Sequence, residues 1–357
     1  MFIIDTFEYN DGSGNPIEVL DQEKLEPAIG GGGTYCAIGA RIWLPATELG
    51  MIVDRGHDFP RSIQASLDLY GDGMWLWRDH SDKETTKAVN IYTGDTRGFA
   101  YLTPRIRLTP KDLTGTSFDR PKYLHFICSP QRAKVILDEI GEIQKEGGAW
   151  DPICVYEPIP DRCVPEELPP LKAIISGIDI LSPNAEEALS LLSTDGNASN
   201  PAQPSPALIE AAAQKFISFG ARAVVIRSGA LGAYCLKARQ DGVWIPAFFS
   251  ATDVGKESEL PNSPTDHQSV VDVTGAGNAF LGGLVAGLEL SSGDLVEACL
   301  YATVSASYTI EQKGLPILTT SGQTPANEIW NGSHPSERLA SLRQRVHQSA
   351  LSAPSTS

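Results

Sequence analysis

VVDVTGAGNAFLGGL, residues Val270–Leu284, sets a glycine-rich turn directly before an apolar helix of small residues. Thr274-Gly275-Ala276-Gly277 lets the backbone come close to a ligand. The run Asn278–Gly287, NAFLGGLVAG, is predicted to be a buried helix whose free N–H groups and positive dipole end face back onto that turn. Such a junction holds an anion. A bare G-x-G before a helix is common and often serves packing alone. The pattern here is longer, with an acid at Asp272, a hydroxyl at Thr274 and a polar residue, Asn278, in the first helical turn.

Outward from that stretch, 357 residues with 41% hydrophobic content are enough for a sizeable core in one large or two ordinary domains. A formal net charge of -16 argues against nucleic-acid or anionic-membrane partners, which need a concentrated positive surface. Six cysteines without C-x-x-C spacing, and a start, MFIIDTFEYNDG, with no charged segment leading into a long apolar run, point to the cytoplasm. Apolar runs stop well short of the roughly 20 residues a membrane span needs.

Phe2-Ile3-Ile4 reads as a short strand ending in Asp5, followed by a hairpin between Thr6–Tyr9 and Ile17–Leu20. Four glycines, Gly30–Gly33, precede a helix from Thr34 to Arg41, a second place for close approach, by a ligand or by neighbouring chain. Met51–Asp54 reads as a strand, Arg61–Leu69 as a helix and Leu76–Arg78 as a strand. Ala88–Tyr92 and Gly98–Leu102 alternate at strand spacing. From Tyr123 the pattern becomes strand then helix: Leu124–Cys128, Ala133–Lys145, Ile153–Tyr156, Ile178–Leu181, Ala185–Leu192, Ile209–Phe219, Ala223–Ile226, with Gly232–Leu236 as a hairpin partner. That alternation predicts a parallel sheet covered by helices on both faces. Ser193–Pro206 and Ser250–Gln268 are polar connections. Helices at Leu295–Tyr308 and Ser336–Val346 and a disordered tail end the chain.

Three constellations stand in order along the chain: Asn184-Ala185-Glu186-Glu187 opening a helix, Arg227-Ser228-Gly229-Ala230-Leu231-Gly232 after a buried strand, and the turn at 272–278. Together they resemble the ribokinase-like PfkB family of carbohydrate and nucleoside kinases over roughly residues 1–330. Ile29–Ala37, Val53–Pro60, Arg97–Pro104, Glu157–Pro160 and Ser182–Asn184 are similar to its fungal maintenance-of-killer branch. The resemblance implies a single α/β domain over 1–330 with a small β lid from about 6–28 and 86–107, and a homodimer through that lid as the possible protein partner. It implies ATP and Mg as cofactors, Asn184 and Glu187 organising the metal and phosphates with Glu187 acting through water. Ser228, Gly229 and Gly232 would lie along the nucleotide, and Asp272, Thr274, Gly275, Ala276 and Gly277 would form the anion hole. Asp5, Gly31, Gly32, Gly33 and Thr34 would face the hydroxyl-bearing substrate. Arg97, between Gly94 and Gly98 of the lid, reads first as a loop arginine paired to the acidic surface and second as a contact to an anionic substrate.

The chain departs from this family at the residue that matters most for chemistry. Asn278 stands where the family has its catalytic Asp. A carboxylate can take the proton of an attacking hydroxyl, while a neutral amide can only orient that hydroxyl. A general base is worth about 10²–10⁴-fold, and positioning and electrostatics carry most of phosphoryl transfer, so slow chemistry is expected rather than none. Thr34 likewise replaces the Asn that usually follows the substrate-side glycines. Two functions stay open: an ATP- and Mg-dependent phosphotransferase acting on a hydroxyl of a sugar- or nucleoside-like small molecule, or a pseudokinase that binds nucleotide and regulates. Asp272 is a nearby acid that could stand in for the missing base. Asn278→Asp, nearly isosteric, is expected to raise turnover about 10²-fold at little cost in packing. Glu157 and Asp161, in a proline-rich segment, read as solvated surface.

Overall fold

The computed structural model describes residues 1–11, 13–17, 27–93, 96–147, 150–193, 204–249, 270–322 and 324–352. The chain enters in β1 (Ile3–Asn10), returns through β2 (Ala28–Gly30), and turns at Gly31 into α1 (Gly32–Arg41). β3 (Met51–Gly56), α2 (Arg61–Asp68) and β4 (Trp75–His80) follow, with β3 and β4 paired in parallel. β5 (Lys87–Thr93) and β6 (Thr96–Tyr101) form an antiparallel hairpin, and the four-stranded sheet that results has the order β2-β1-β5-β6. The expected two strands at 2–5 and 6–9 are one continuous strand. Of the return arm of the expected hairpin, the described residues hold a bridge between Asn10 and Pro16 and a bond from Ile17 N to Tyr9 O. Its remainder, to Leu20, lies outside the described residues.

The strand–helix alternation builds β7 (Tyr123–Cys128), α3 (Pro130–Gly147), β8 (Ile153–Pro158), α4 (Leu168–Ile174), β9 (Ile180–Leu181), α5 (Ala185–Leu192), α6 (Pro206–Ser218) and β10 (Ala223–Arg227). β7 to β10 run parallel, and β11 (Ala233–Lys237) and β12 (Val243–Ile245) extend the sheet antiparallel, giving the order β12-β11-β10-β9-β8-β7. α4 and β12 escape a reading by periodicity. Pro169 and Pro170 discourage a helix there, yet both occupy its first turn, where their missing N–H costs nothing.

Alternation along the central strands sorts side chains into two cores. Val224 and Ile226 of β10, with Tyr156 and Leu181, meet Leu171 of α4, Ala188 of α5 and Phe216 of α6. Ala223 and Val225, with Val155 and Ile180, meet the helices of the opposite face: α1, α7 (Ala276–Leu290) and α8 (Leu295–Thr309). α7 is pressed between its neighbours. A Cβ at Gly282 would strike the Cys36 carbonyl and one at Gly39 the Ala279 carbonyl, so α1 and α7 cross backbone to backbone. Gly283 and Gly287 do the same against Ser305, Ala302 and Ala298 of α8. The small residues of NAFLGGLVAG are thus demanded by packing as well as by any ligand. After β13 (Leu318–Thr320) and β14 (Ile329–Trp330), α9 (Pro335–Ser352) closes the fold by inserting Leu339 and Leu342 into the core of the α8 face. No helix among the described residues is long and apolar enough to cross a membrane.

Candidate active site

The functional side chains gather beyond the carboxyl ends of the parallel strands, where open α/β sheets place their ligands. Gly275 caps α7 in the left-handed region, at φ 78°, a conformation that favours glycine, and a Cβ there would also strike the Tyr35 ring. The first-turn N–H groups of α7, those of Gly277 and Asn278 among them, have no carbonyl one turn back inside the helix and carry its positive end. Asp272 shapes the approach: its Oδ1 accepts a bond from Thr274 N at 2.9 Å. Ala276 N is bonded to Val273 O.

Around this turn lies a buried ionic cluster that the sequence reading placed on the surface. Glu157, near the end of β8, is 5% exposed; Asp161, on the turn beyond, is exposed. Glu157 Oε2 accepts a bond from Asn278 Nδ2 at 2.8 Å, and its Oε1 lies 2.8 Å from Arg227 Nη2. His125 Nε2 of β7 is 3.5 Å from Oε2. Arg227 Nη2 also donates to Ser182 O at 3.1 Å and lies 3.4 Å from Glu187 Oε2. Burial works against the charged form of Glu157, but Arg227, His125 and the Asn278 amide outweigh it and hold its carboxyl below the usual range. The balance goes the other way at Glu187, which burial pushes up to about 7 against the pull of Arg227 and of Asn184 N–H. Burial also disfavours the His125 imidazolium, yet Cys36 and Glu157 beside it raise its pKa to about 9.

The other expected residues fall into place around this cluster. Asn184 and Glu187 are bonded reciprocally as a capping box at the start of α5: Asn184 N and Nδ2 donate to Glu187 Oε2 and Oε1 at 2.7 and 2.9 Å, and Glu187 N donates back to Asn184 Oδ1 at 2.8 Å. Ser228 opens a 3-10 turn over Gly229–Leu231, its N bonded to Gly232 O at 2.7 Å. Gly232 is wedged against the backbone of Ile245 and Ala247. On the substrate side the four glycines divide. Gly30 lies under the buried Asp5 carboxylate, Gly31 and Gly33 lie against Met1, and Gly32 faces Asn278, whose Nδ2 would be 3.0 Å from a Cβ at that position. Thr34 does not face this space: it is fully buried, and its hydroxyl donates to Gly30 O at 2.9 Å. Arg97 pairs through its backbone with Tyr92 in the β5–β6 hairpin. Its side chain lies outside what is described.

Glu157, His125 and Arg227 are the residues that sequence reasoning passed over as a group. Their signal was positional: His125 lies on the predicted strand Leu124–Cys128, and Glu157 and Arg227 directly follow the predicted strands Ile153–Tyr156 and Ala223–Ile226, at the ends that point to the site.

A parallel, helix-covered sheet with a glycine-capped helix start at its carboxyl edge defines the class of α/β folds that take ligands at that edge. Residues 78–320 match the pfkB family of carbohydrate kinases, and the chain belongs to that family. It is 33% identical over 353 residues to an uncharacterized protein of Schizosaccharomyces pombe, covering 95% of this chain and 90% of the relative. It is 30% identical over 319 residues to Protein MAK32 of Saccharomyces cerevisiae, covering 85% and 82%. Arabidopsis thaliana ribokinase, solved with ribose and ATP, superposes with a TM-score of 0.58 at 18% identity, covering 96% of each chain. Asp5 and Gly30–Gly33 lie before the matched span.

Proposed function

We propose that this protein is an ATP-dependent phosphotransferase acting on a hydroxyl of a sugar- or nucleoside-like small molecule. The observation that carries this reading is the meeting, at one side chain, of two approaches. Asn278 stands in the first turn of α7, beside the anion-binding N–H groups, and it also faces Gly32 of the substrate-side run. Gly275 and Gly277 would hold the transferring phosphoryl group with backbone N–H groups, with the Arg227 guanidinium directly against Gly277 adding positive charge; Ala276, expected to share that role, has its N–H taken by Val273 O and would only shape the turn. Ser228, Gly229 and Gly232 would flank the nucleotide. Asp5 and Gly32 would border the sugar, and the sheet β2-β1-β5-β6 would close over it as a lid.

A directly gripped metal does not fit these side chains. No cluster of three or more His, Cys, Asp or Glu among the described residues is placed to hold an ion, and both Glu187 oxygens are engaged by Asn184. Magnesium would therefore be carried on the phosphates, with Glu187 reached through water, and would supply neutralisation of phosphate charge. Asn278 can accept a hydrogen bond from the substrate hydroxyl but cannot take its proton.

The test is thermal unfolding with ATP, with and without Mg²⁺. A ligand bound to the folded state at 100 times its Kd stabilises by about 2.7 kcal/mol, so a rise of several degrees is expected. No shift at millimolar nucleotide from a folded sample overturns the reading. The pseudokinase alternative is favoured by one observation, the amide at 278. A nucleotide shift without turnover over a panel of sugars and nucleosides would select it.

A further inference from the structure

The contact between Glu157 and Asn278 decides which way the amide faces, and with it what the site offers a substrate. This inference rests on the phosphotransferase reading. An ionised carboxylate only accepts hydrogen bonds, so the Asn278 atom 2.8 Å from Glu157 Oε2 has to be the amide nitrogen. Its Oδ1 makes no hydrogen bond to any described residue. We propose that Glu157 and Asn278 form a transposed acid–amide pair: the carboxylate stands on β8 and turns Asn278 so that a carbonyl oxygen, not an amino group, meets the hydroxyl of the bound substrate.

Glu157 is then a positioning residue, acting through Asn278. Its neighbours fit the role. Arg227 from β10 and His125 from β7 pair with its charge, Glu187 of α5 shares Arg227, and Cys36 of α1 lies against His125. The Cys163 thiol on the turn after β8 is kept neutral by burial.

The pair overturns a simple expectation about Asn278→Asp. That change would set two carboxylates at hydrogen-bond distance in a buried place, where like charges push at least one pKa up and force a shared proton. It is isosteric but not neutral in cost. Exchanging both residues, Glu157→Gln with Asn278→Asp, keeps the bond with its polarity reversed. The new amide at 157 would donate to the new carboxylate at 278 through nitrogen and still accept from Arg227 through oxygen.

The experiment compares wild type, Asn278→Asp, Glu157→Gln and the double variant by melting temperature at pH 7.5 and pH 5, by the ATP-induced shift, and by the pH profile of ATP hydrolysis with water as the hydroxyl. Asn278→Asp is expected to melt about 5 °C or more below wild type at pH 7.5, and less so at pH 5 as the pair takes up a proton. The double variant should recover most of that loss. It should also hydrolyse ATP about 10-fold or more faster than wild type, on a rising limb set by a titrating carboxylate, with the single Asp variant below it. Additive effects of the two changes, or an Asp variant as stable as wild type at both pH values, would overturn the pair. Coupling in stability with no nucleotide shift in any protein would remove the phosphotransferase reading instead and reduce the pair to a structural contact, which also overturns its role toward substrate. Should the double variant not fold, Asn278→Ala tests the pair from the other side. Losing one donor to Glu157 raises its carboxyl pKa toward the unfolded value, so the stability lost on acidification, between the unfolded and the folded pKa, should be smaller than in wild type. An unchanged acid limb would sink the pair.

Discussion

Two glycine-rich turns lead into helices in this chain, Gly30–Gly33 before α1 and Gly275–Gly277 before α7, and they are used differently. In the first, all four glycines are occupied by the protein itself: Gly30 by Asp5, Gly31 and Gly33 by Met1, and Gly32 by Ile127 and Asn278. In the second, Gly275 turns the chain against Tyr35, while Gly277 meets the guanidinium of Arg227. The difference is between glycines filled by fixed backbone, a buried carboxylate or an apolar side chain and one that admits the positive end of a side chain already paired with Glu157 and Glu187. A glycine run before a helix is therefore not by itself a binding site. What lies within reach of the absent Cβ decides.

The largest effect should come from glycines that belong to neither turn. Gly282→Val would drive a side chain into the Cys36 carbonyl at the α1–α7 crossing, and a loss of about 3 kcal/mol or more is expected in urea unfolding, or no soluble protein at all. If it folded normally, packing would not explain the small residues of α7, and the contrast between packing and ligand glycines would collapse. Next come the turns themselves. Gly31→Ala, at φ 93° and against Met1, should cost about 1–3 kcal/mol of stability and leave nucleotide affinity unchanged. Gly277→Ala should weaken ATP binding about 10-fold or more and also cost stability, since its Cβ would displace Arg227 from Glu157 and Glu187, as isothermal titration and urea melts would record. Equal behaviour of the two would break the comparison outright.

Acid–base behaviour sharpens the second turn. The folded pKa of Glu187, about 7, lies above the ordinary carboxylate value of 4.5, so the fold prefers its protonated form. Its contribution to stability is fully present below about pH 4.5 and is lost as pH rises through 7, and every tenfold difference in proton affinity between the folded and unfolded chain is worth about 1.4 kcal/mol. Glu187→Gln should flatten that slope in urea midpoints taken between pH 5 and 8. An unaltered slope would place the titration elsewhere. The smallest effect belongs to the first turn: Thr34→Ala removes the bond to Gly30 O, at about 1 kcal/mol, with no change in any substrate's KM because Thr34 faces inward.

The sequence carried the fold well where periodicity and order both spoke. From Tyr123 to Ile226 each strand of the parallel run and its long helices lie where alternation put them, since β-rich apolar runs between helical patterns leave few arrangements open. It failed where a local rule was outweighed. Pro169 and Pro170 left α4 unread, yet both sit in its first turn. At the site, Asn278 and its turn were legible because the spacing is local. Glu157 was not, since a carboxylate followed by Pro158 and Pro160 looks solvated until β7, β10 and α7 converge on it from 32, 70 and 121 residues away. Burial of that kind is a tertiary fact. A charged residue closing an apolar strand such as Ile153-Cys154-Val155-Tyr156-Glu157 is its one trace in the primary structure.

β1 belongs to two regions at once. Ile3 and Ile4 are buried in the body of the molecule, while Thr6–Asn10 run on towards solvent, paired residue for residue with β5 from Ile4 opposite Lys87 to Asn10 opposite Thr93. No loop interrupts the strand at the crossing. The outer sheet is thus joined to the body by continuous strand and not by a slack joint, so any bend between the two is spread along the paired β1 and β5, whose shared root lies at Asp5, against Gly30 of the run before α1.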